Sequence, residues 1–248
     1  MDGRPIIAKK IKYKIADLKV LLTTYHPTTE QRAKEYISEE NWDDKDADVV
    51  IDVGQEYYEK RYKDCKYPTN YNTIEYGVTG SLFNRYLLKY DGCMLHSSAV
   101  VVDGYAYLFS ADSGTGKSTH TGLWLEHFKD KAFIINDDKP AIRKIDNQWY
   151  VYGTPWSGKT DQNVNVKAKL GGIVFIERSE NNWIRDLEAA EAIPLFFNQT
   201  IRRMKTEQNM DLVLTMMERV LTENPLYKMG CNISDEAVET AYQKIRRV

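Results

Sequence analysis

The stretch FSADSGTGKSTHTG, residues 109–122, decides how the rest of the chain is read. Gly114 and Gly116 flank Thr115 and lead directly into Lys117 and Ser118. Consecutive backbone N–H groups can point at one anion only where side chains leave the approach open, so glycines at this spacing suit a phosphate cradle. Lysine can bridge the outer phosphates, and the Ser118 hydroxyl can ligate a phosphate-bound Mg²⁺. A helix opening there adds its positive dipole end. The strict pattern G-x-x-x-x-G-K-[ST] fails at its first glycine, where Ala111 stands. The competing reading is a Ser/Gly-rich turn that ends in Lys-Ser by chance. The flanks weigh against it: YAYLFSA (105–111) reads as a strand and STHTGLWLEHF (118–128) as a helix, the setting in which such a cradle works. The missing glycine then predicts a first turn built differently, not a broken loop.

Working outward, CMLHSSAVVV (93–102) and YAYLFSA are β-prone runs joined by the turn pair Asp103-Gly104, a hairpin signal. AFIINDD (132–138) reads as a short buried strand ending in two carboxylates, Asp137 and Asp138. Neighbouring residues on a strand point to opposite sides, so the two can take different tasks. An acidic strand exit before Lys-Pro is the plainer alternative, and a lone His96 in an apolar strand is more often a hydrogen-bonded core residue than a ligand. PAIRKI (140–145) and WYVYG (149–153) read as a second hairpin about Asp146 and Asn147, and GGIVFIER (171–178) as a strand. TGSLFNRYLLKYDG (79–92) has helical spacing and closes at Gly92. RDLEAAEAIPLFFNQ (185–199), MDLVLTMMERVLTE (210–223) and SDEAVETAYQKIRRV (234–248) read as helices, the first broken or kinked at Pro194. The first 50 residues give weak strand patches, IIAKKIKYKI and LKVLLTTY, then the polar stretch TTEQRAKEYISEENWDDKDAD. VVIDVGQEY (49–57) reads as a strand leading into a charged segment. The order is strands first and helices last around a mixed sheet.

Composition sets bounds. The 248 residues with 12% aromatics suffice for a packed core, and the 17 tyrosines against 7 phenylalanines suggest many half-wet positions. A formal net charge of −2 gives no reason to expect nucleic acid or a membrane surface as partner. No apolar run approaches the length of a spanning helix, and the start MDGRPIIAKKIKYK lacks the apolar region of a secretory signal. Cys65, Cys93 and Cys231 are scattered and odd in number, which suits reduced thiols in a cytoplasm. No oligomeric state follows from the sequence.

Read together, LHSSAVVVDGYAYLFSADSGTGKSTHTG and IINDD resemble the phosphoenolpyruvate carboxykinase/HPr kinase superfamily, over residues 92 to about 142. GTPWSGKT (153–160) is similar to an acceptor-side loop of the HPr-kinase-like members. The resemblance implies an α/β fold with a mixed-sheet P-loop core of that type and C-terminal helices. Residues 1–75 and 180–248 carry no such resemblance; the chain is read as an N-terminal strand/helix region, 1–75, packed on a catalytic core, 76–248, as one compact domain overall. The resemblance implies nucleotide contacts from Ser113, Gly114, Thr115, Gly116, Lys117, Ser118 and Thr119, with Lys117 on the β- and γ-phosphates. It further implies Mg²⁺, or Mn²⁺ in its place, on Ser118, His96 and one aspartate of the pair, with the other as base; Asp138 is taken for the metal and Asp137 for the base, and the reverse assignment stays open. His96 can alternatively sit beside the reacting hydroxyl. The chain is shorter than a carboxykinase and has no recognisable oxaloacetate-binding domain, so decarboxylation is disfavoured.

The expected function is therefore an ATP-dependent kinase acting on an alcohol. Lys159 in the 153–160 loop and the pair Arg202-Arg203 suit an acceptor that is already anionic, such as a phosphorylated polyol. An ordinary solvated helix face explains the arginine pair equally well. A serine of a protein or peptide is the second acceptor class, and a nucleotide-gated regulatory module without transfer is the reading from a different class.

Overall fold

A computed structural model describes residues 7–200 and 207–247. The chain forms two compact units, Met1–Tyr86 and Leu87–Val248. In the first, β1 (Lys9–Ile15) and β2 (Leu18–Thr24) form an antiparallel hairpin, and β3 (Val49–Ile51) adds parallel to β2. Between β2 and β3, the polar stretch holds the short helix α1 (Pro27–Arg32) and two 3₁₀ turns. Next, α2 (Gln55–Lys63) occupies much of the segment read only as charged. The helix α3 (Tyr71–Leu87) starts eight residues before the span that the sequence pattern marks.

The second unit carries the site. Its strands are β4 (Gly92–Met94), β5 (Ser97–Val102), β6 (Tyr105–Ser110), β7 (Ala132–Asn136), β8 (Ala141–Ile145), β9 (Gln148–Tyr152), β10 (Lys167–Arg178), β11 (Trp183–Asp186) and β12 (Leu226–Cys231). Its helices are α4 (Lys117–Phe128), α5 (Ala189–Thr200), α6 (Glu207–Glu223) and α7 (Asp235–Ile245). The strands join in one mixed sheet of order β4-β8-β9-β10-β6-β5-β7, with β12 also paired to β10 and β11 to β12. Both predicted hairpins form. Asp103 and Gly104 (φ 52° and 80°) and Asp146 and Asn147 (φ 47° and 62°) adopt the two positive φ values that a tight two-residue turn requires.

Strict alternation on the central strands buries both faces. Ala106, Leu108, Ile173 and Phe175 join one apolar cluster with Phe196, Met217 and Val220 from α5 and α6. Tyr107, Phe109, Val174 and Ile176 join a second with Trp124 of α4 and Val238 of α7. The result is a sheet covered by helices on both sides. Strand β10 forks the sheet: its first residues, Lys167–Lys169, pair antiparallel with β9, and Ile173–Arg178 pair parallel with β12. The register against β6 slips between Leu170 and Gly172, a bulge at the fork. A Cβ on Gly171 would lie 2.5 Å from the Tyr107 ring, so the bulge requires glycine there.

Three sequence expectations are corrected. Residues 185 and 186 end β11, which pairs with β12, and the helix expected from 185 starts at Ala189. That helix runs Ala189–Thr200 through Pro194 and is not broken there. Finally, β12 lies between α6 and α7, so the order is not strands first and helices last. Its Leu-Tyr-Lys-Met-Gly-Cys run has no clean alternation, and its stability comes from parallel pairing with a strand about 50 residues earlier. No helix among the described residues is long and apolar enough to cross a membrane.

Candidate active site

The directions of the strands bring the candidate residues to one edge. Strands β6, β10 and β12 run parallel, β5 runs against β6, and β7 runs against β5. The C-terminal ends of β6, β7, β10 and β12 therefore share an edge with the start of β5, just after His96. In open α/β sheets this is the edge at which ligands bind.

Between β6 and α4, Gly114 (φ 83°) and Gly116 (φ 119°) hold the loop in conformations that other residues rarely adopt, and no atom lies within 4 Å of a Cβ at either. Glycine is thus required there by backbone conformation, and the space over the loop is open. Ala111 is buried in the cluster that holds Phe109 and Trp124. Its methyl is anchored in the core, which is how this loop does without a first glycine. Ser113, Gly114, Ser118 and Thr119 are exposed, and Thr115 and Gly116 half-buried. Lys117 is 8% exposed and folds back, its Nζ donating to the carbonyls of Ala111 (2.9 Å) and Asp112 (3.2 Å). Burial pulls its ammonium below the usual value, an effect that nearby Asp138 partly offsets. On the far side of the loop, Arg178 donates from Nη2 to the Gly114 carbonyl (2.6 Å) and from Nε to that of Thr115 (3.2 Å). A cavity of about 500 Å³ opens beside the loop, with Asp112, Ser113, Arg178, Asn198 and Gln199 in its wall.

The carboxylate pair is held by Asn136, whose Oδ1 accepts from the backbone N–H of Asp138 (2.9 Å) and of Lys139 (2.7 Å). This fixes the exit from β7 as a side-chain-closed turn. Asp137, 6% exposed, accepts from Ser98 at Oδ1 (2.5 Å) and from Thr160 at Oδ2 (2.8 Å). Ser98 also meets Thr121 of α4 at 2.7 Å, so Asp137 is connected to the first turns of the helix behind the loop. Asp138 faces elsewhere: its Oδ1 is 3.3 Å from His96 Nε2 and its Oδ2 3.3 Å from Lys139 Nζ. Burial pushes the Asp138 carboxyl up, but the His96 hydrogen bond and the Lys139 charge outweigh it and hold the group below its ordinary value. His96 Nδ1 lies 2.7 Å from Gln199 Oε1, and Gln199 Nε2 donates to Asp112 Oδ1 at 2.9 Å.

His96, Asp137 and Asp138 do not converge as three ligands of one ion. Among the described residues only His127, Asp235 and Glu239 on the surface lie that close together. Lys159 is exposed, with no charged partner among the described residues. The glycine before it packs against Asp138, where a Cβ on Gly158 would lie 2.8 Å from the Asp138 Cβ. Arg202 and Arg203 lie outside the described residues.

Sequence reading missed Ser98, Thr160, Gln199 and Arg178. The first two sit inside motifs already singled out, and hydroxyls next to a carboxylate motif were the available signal. Gln199 and Arg178 carry no local signal, because only the topology brings α5 and the end of β10 to this edge.

No family model matches the chain, and no curated protein matches it. Among solved structures, the chain is similar to the HPr(Ser) kinase/phosphatase from Coxiella burnetii, at 12% identity and a TM-score of 0.36 over 60% of this chain and 94% of that one.

Proposed function

We propose that the protein is an ATP-dependent kinase that transfers the γ-phosphoryl group to a hydroxyl of an anionic small molecule. The observation that carries this reading is the seating of Asp138, paired with His96, at the same sheet edge as an open glycine cradle and its lysine. A sensor needs the cradle alone; a partly open carboxylate oriented by a histidine beside it is placed to accept a proton.

In this reading Lys117 exchanges the carbonyls of Ala111 and Asp112 for phosphate oxygens, which return a full counter-charge to a buried ammonium. Asp138 takes the proton of the acceptor hydroxyl, the freed oxygen bonds to the γ-phosphorus, and the bond from that phosphorus to the bridging oxygen breaks, releasing ADP. His96 orients Asp138 and keeps it charged. Of the two assignments left open by the sequence, this is the one with Asp138 as base and Asp137 on the metal. Asp137 is nearly buried and held by Ser98 and Thr160, whereas the Asp138 side chain is 27% exposed and so is better placed to meet an incoming hydroxyl. The donors around it are hard oxygens, which fit Mg²⁺. Ser118 and Asp137 would hold that ion, whose chemistry is to neutralise charge on the phosphates. Both His96 ring nitrogens are engaged, which leaves the ring an orienting group rather than a ligand. Lys159, exposed and next to the glycine that touches Asp138, is the cation assigned to the acceptor's anionic group.

Incubation with γ-labelled ATP, Mg²⁺ and a panel of sugar phosphates, phosphorylated polyols, neutral polyols and serine peptides tests the proposal. Label on an anionic small molecule is the expected result. Label on a peptide alone would replace the acceptor class, and absence of both transfer and ATP binding would remove the kinase reading.

A further inference from the structure

Gln199 stands in the last turn of α5, far in sequence from every motif of the site, yet three hydrogen bonds join it to that site. Its backbone carbonyl accepts from the His96 N–H (3.1 Å), its Oε1 meets His96 Nδ1 (2.7 Å), and its Nε2 donates to Asp112 Oδ1 (2.9 Å). The residue is 8% exposed, so these bonds are not exchanged freely with water.

The donor inventory leaves one arrangement. An ionised carboxylate can only accept, so the amide nitrogen of Gln199 must face Asp112 and its oxygen must face His96. The oxygen can only accept in turn, so His96 Nδ1 must carry a hydrogen, and Nε2 must carry one as well to donate to the ionised Asp138. That fixes which face of the ring turns to Asp138, with Nε2 at 3.3 Å from Oδ1. The other end of the chain is in the loop: Asp112 offers its carbonyl to Lys117 Nζ and its carboxylate to Gln199.

We infer that Gln199 is a positioning residue that couples occupancy of the glycine loop to the orientation of His96. The inference rests on the kinase reading of the loop. When Lys117 leaves the Ala111 and Asp112 carbonyls for phosphate, the backbone at Asp112 loses its tether. Any shift of the Asp112 carboxylate passes through the rigid amide to the His96 ring and so to Asp138. The dyad is then aligned by the nucleotide before an acceptor arrives.

The experiment is two-bond ¹H–¹⁵N spectroscopy of the histidine side chains, with His96 assigned by His96→Gln among the four histidines of the chain. It is recorded with and without ADP–Mg²⁺ on the wild type, Gln199→Leu and the exposed-site variant Asp112→Ala. The expected resting spectrum shows hydrogen on Nδ1 of His96 in the wild type and Asp112→Ala, lost or exchange-broadened in Gln199→Leu. ADP is expected to shift the His96 signals in the wild type and to leave them unmoved in both variants. In turnover, both variants should lose roughly ten- to a hundredfold in kcat, the scale of a lost histidine partner, with ATP affinity nearly unchanged. A bare Nδ1 in the wild type, or an undiminished ADP shift in Asp112→Ala, overturns the inference even if Gln199→Leu fails to fold. ADP that binds without moving His96 overturns the coupling alone. ADP that does not bind removes the phosphate reading of the loop, and the coupling with it.

Discussion

The Ser98 hydroxyl donates to Oδ1 of Asp137 at 2.5 Å and meets Thr121 Oγ1 at 2.7 Å, so one small side chain joins the carboxylate at the end of β7 to the helix behind the loop. All three residues are buried. Replacing Ser98 by alanine removes a donor from a buried carboxylate without relieving its charge. Ser98→Ala is expected to destabilise the protein by about 1–3 kcal/mol, the cost of a buried polar group left short of a partner. Denaturant unfolding measures this, and an unchanged midpoint would show that water replaces the hydroxyl.

Lys117 gives the opposite balance. Its ammonium is buried against two carbonyls and has no carboxylate partner within hydrogen-bond reach among the described residues, so little stability is lost with it. Lys117→Met should leave the unfolding midpoint nearly unchanged while lowering phosphoryl transfer by on the order of a hundredfold or more. Near-normal turnover in a folded variant would take the loop out of the mechanism.

Gly158 adopts a φ of 71°, and a Cβ there would lie 2.8 Å from the Asp138 Cβ. Alanine at this position both strains the backbone, by about 1–2 kcal/mol, and pushes the carboxylate aside. Small displacements of a reacting group can cost up to about a hundredfold, so Gly158→Ala is expected to reduce kcat steeply with the ATP KM unaltered. Steady-state kinetics with ATP varied at saturating acceptor separate the two parameters.

How far the sequence could reveal this site depends on the distance between partners. The two hairpins, the cradle, its flanking strand and helix, and the Asp pair were legible because each is local chemistry: Asp-Gly and Asp-Asn turns, glycines at positive φ, a β-run ending in acids. Strand β12 was not legible, because its pairing with β10 is tertiary and its Lys228 and Gly230 dilute the strand signal. Gln199 was hidden for the same reason, since a glutamine at the end of an apolar helix is ordinary until the fold sets it against His96 and Asp112. Ala111 looked like a defect in the motif because burial of its methyl beside Trp124 cannot be seen from the loop alone.

His120, one turn into α4, sets a pH limit on the fold. It is 3% exposed, accepts from Trp124 Nε1 at 3.2 Å, and burial pulls its imidazole down to about 4 from an ordinary 6.5. Between those values the unfolded chain binds a proton that the native state does not, so stability rises with pH across the window. The contribution is whole above about pH 6.5, declines as the pH falls, and levels off below about 4. His120→Gln, which can still accept from the indole, should flatten this part of the profile. Parallel wild-type and variant profiles of unfolding free energy from pH 7 to 4 would contradict the assignment.

Lys159 decides the acceptor class. It stands exposed beside the glycine that touches Asp138, where an acceptor offering its hydroxyl to Asp138 would bring any anionic group within reach. Such a contact is made in the ground state and the transition state alike, and its removal raises the acceptor KM more than it lowers kcat. A charge-assisted hydrogen bond is worth about 1.5–3 kcal/mol, so Lys159→Ala should weaken an anionic acceptor roughly ten- to a hundredfold. The ATP KM should stay nearly constant, because the proposed mechanism assigns the nucleotide to the 113–119 loop and not to Lys159. Sulfate or inorganic phosphate should compete with the acceptor in the wild type and lose most of that effect in the variant. A serine in a protein would instead draw its affinity from a broad surface, to which one exposed lysine adds little. Acceptor kinetics indifferent to both Lys159→Ala and sulfate would therefore move the assignment from a small anionic alcohol to a seryl acceptor.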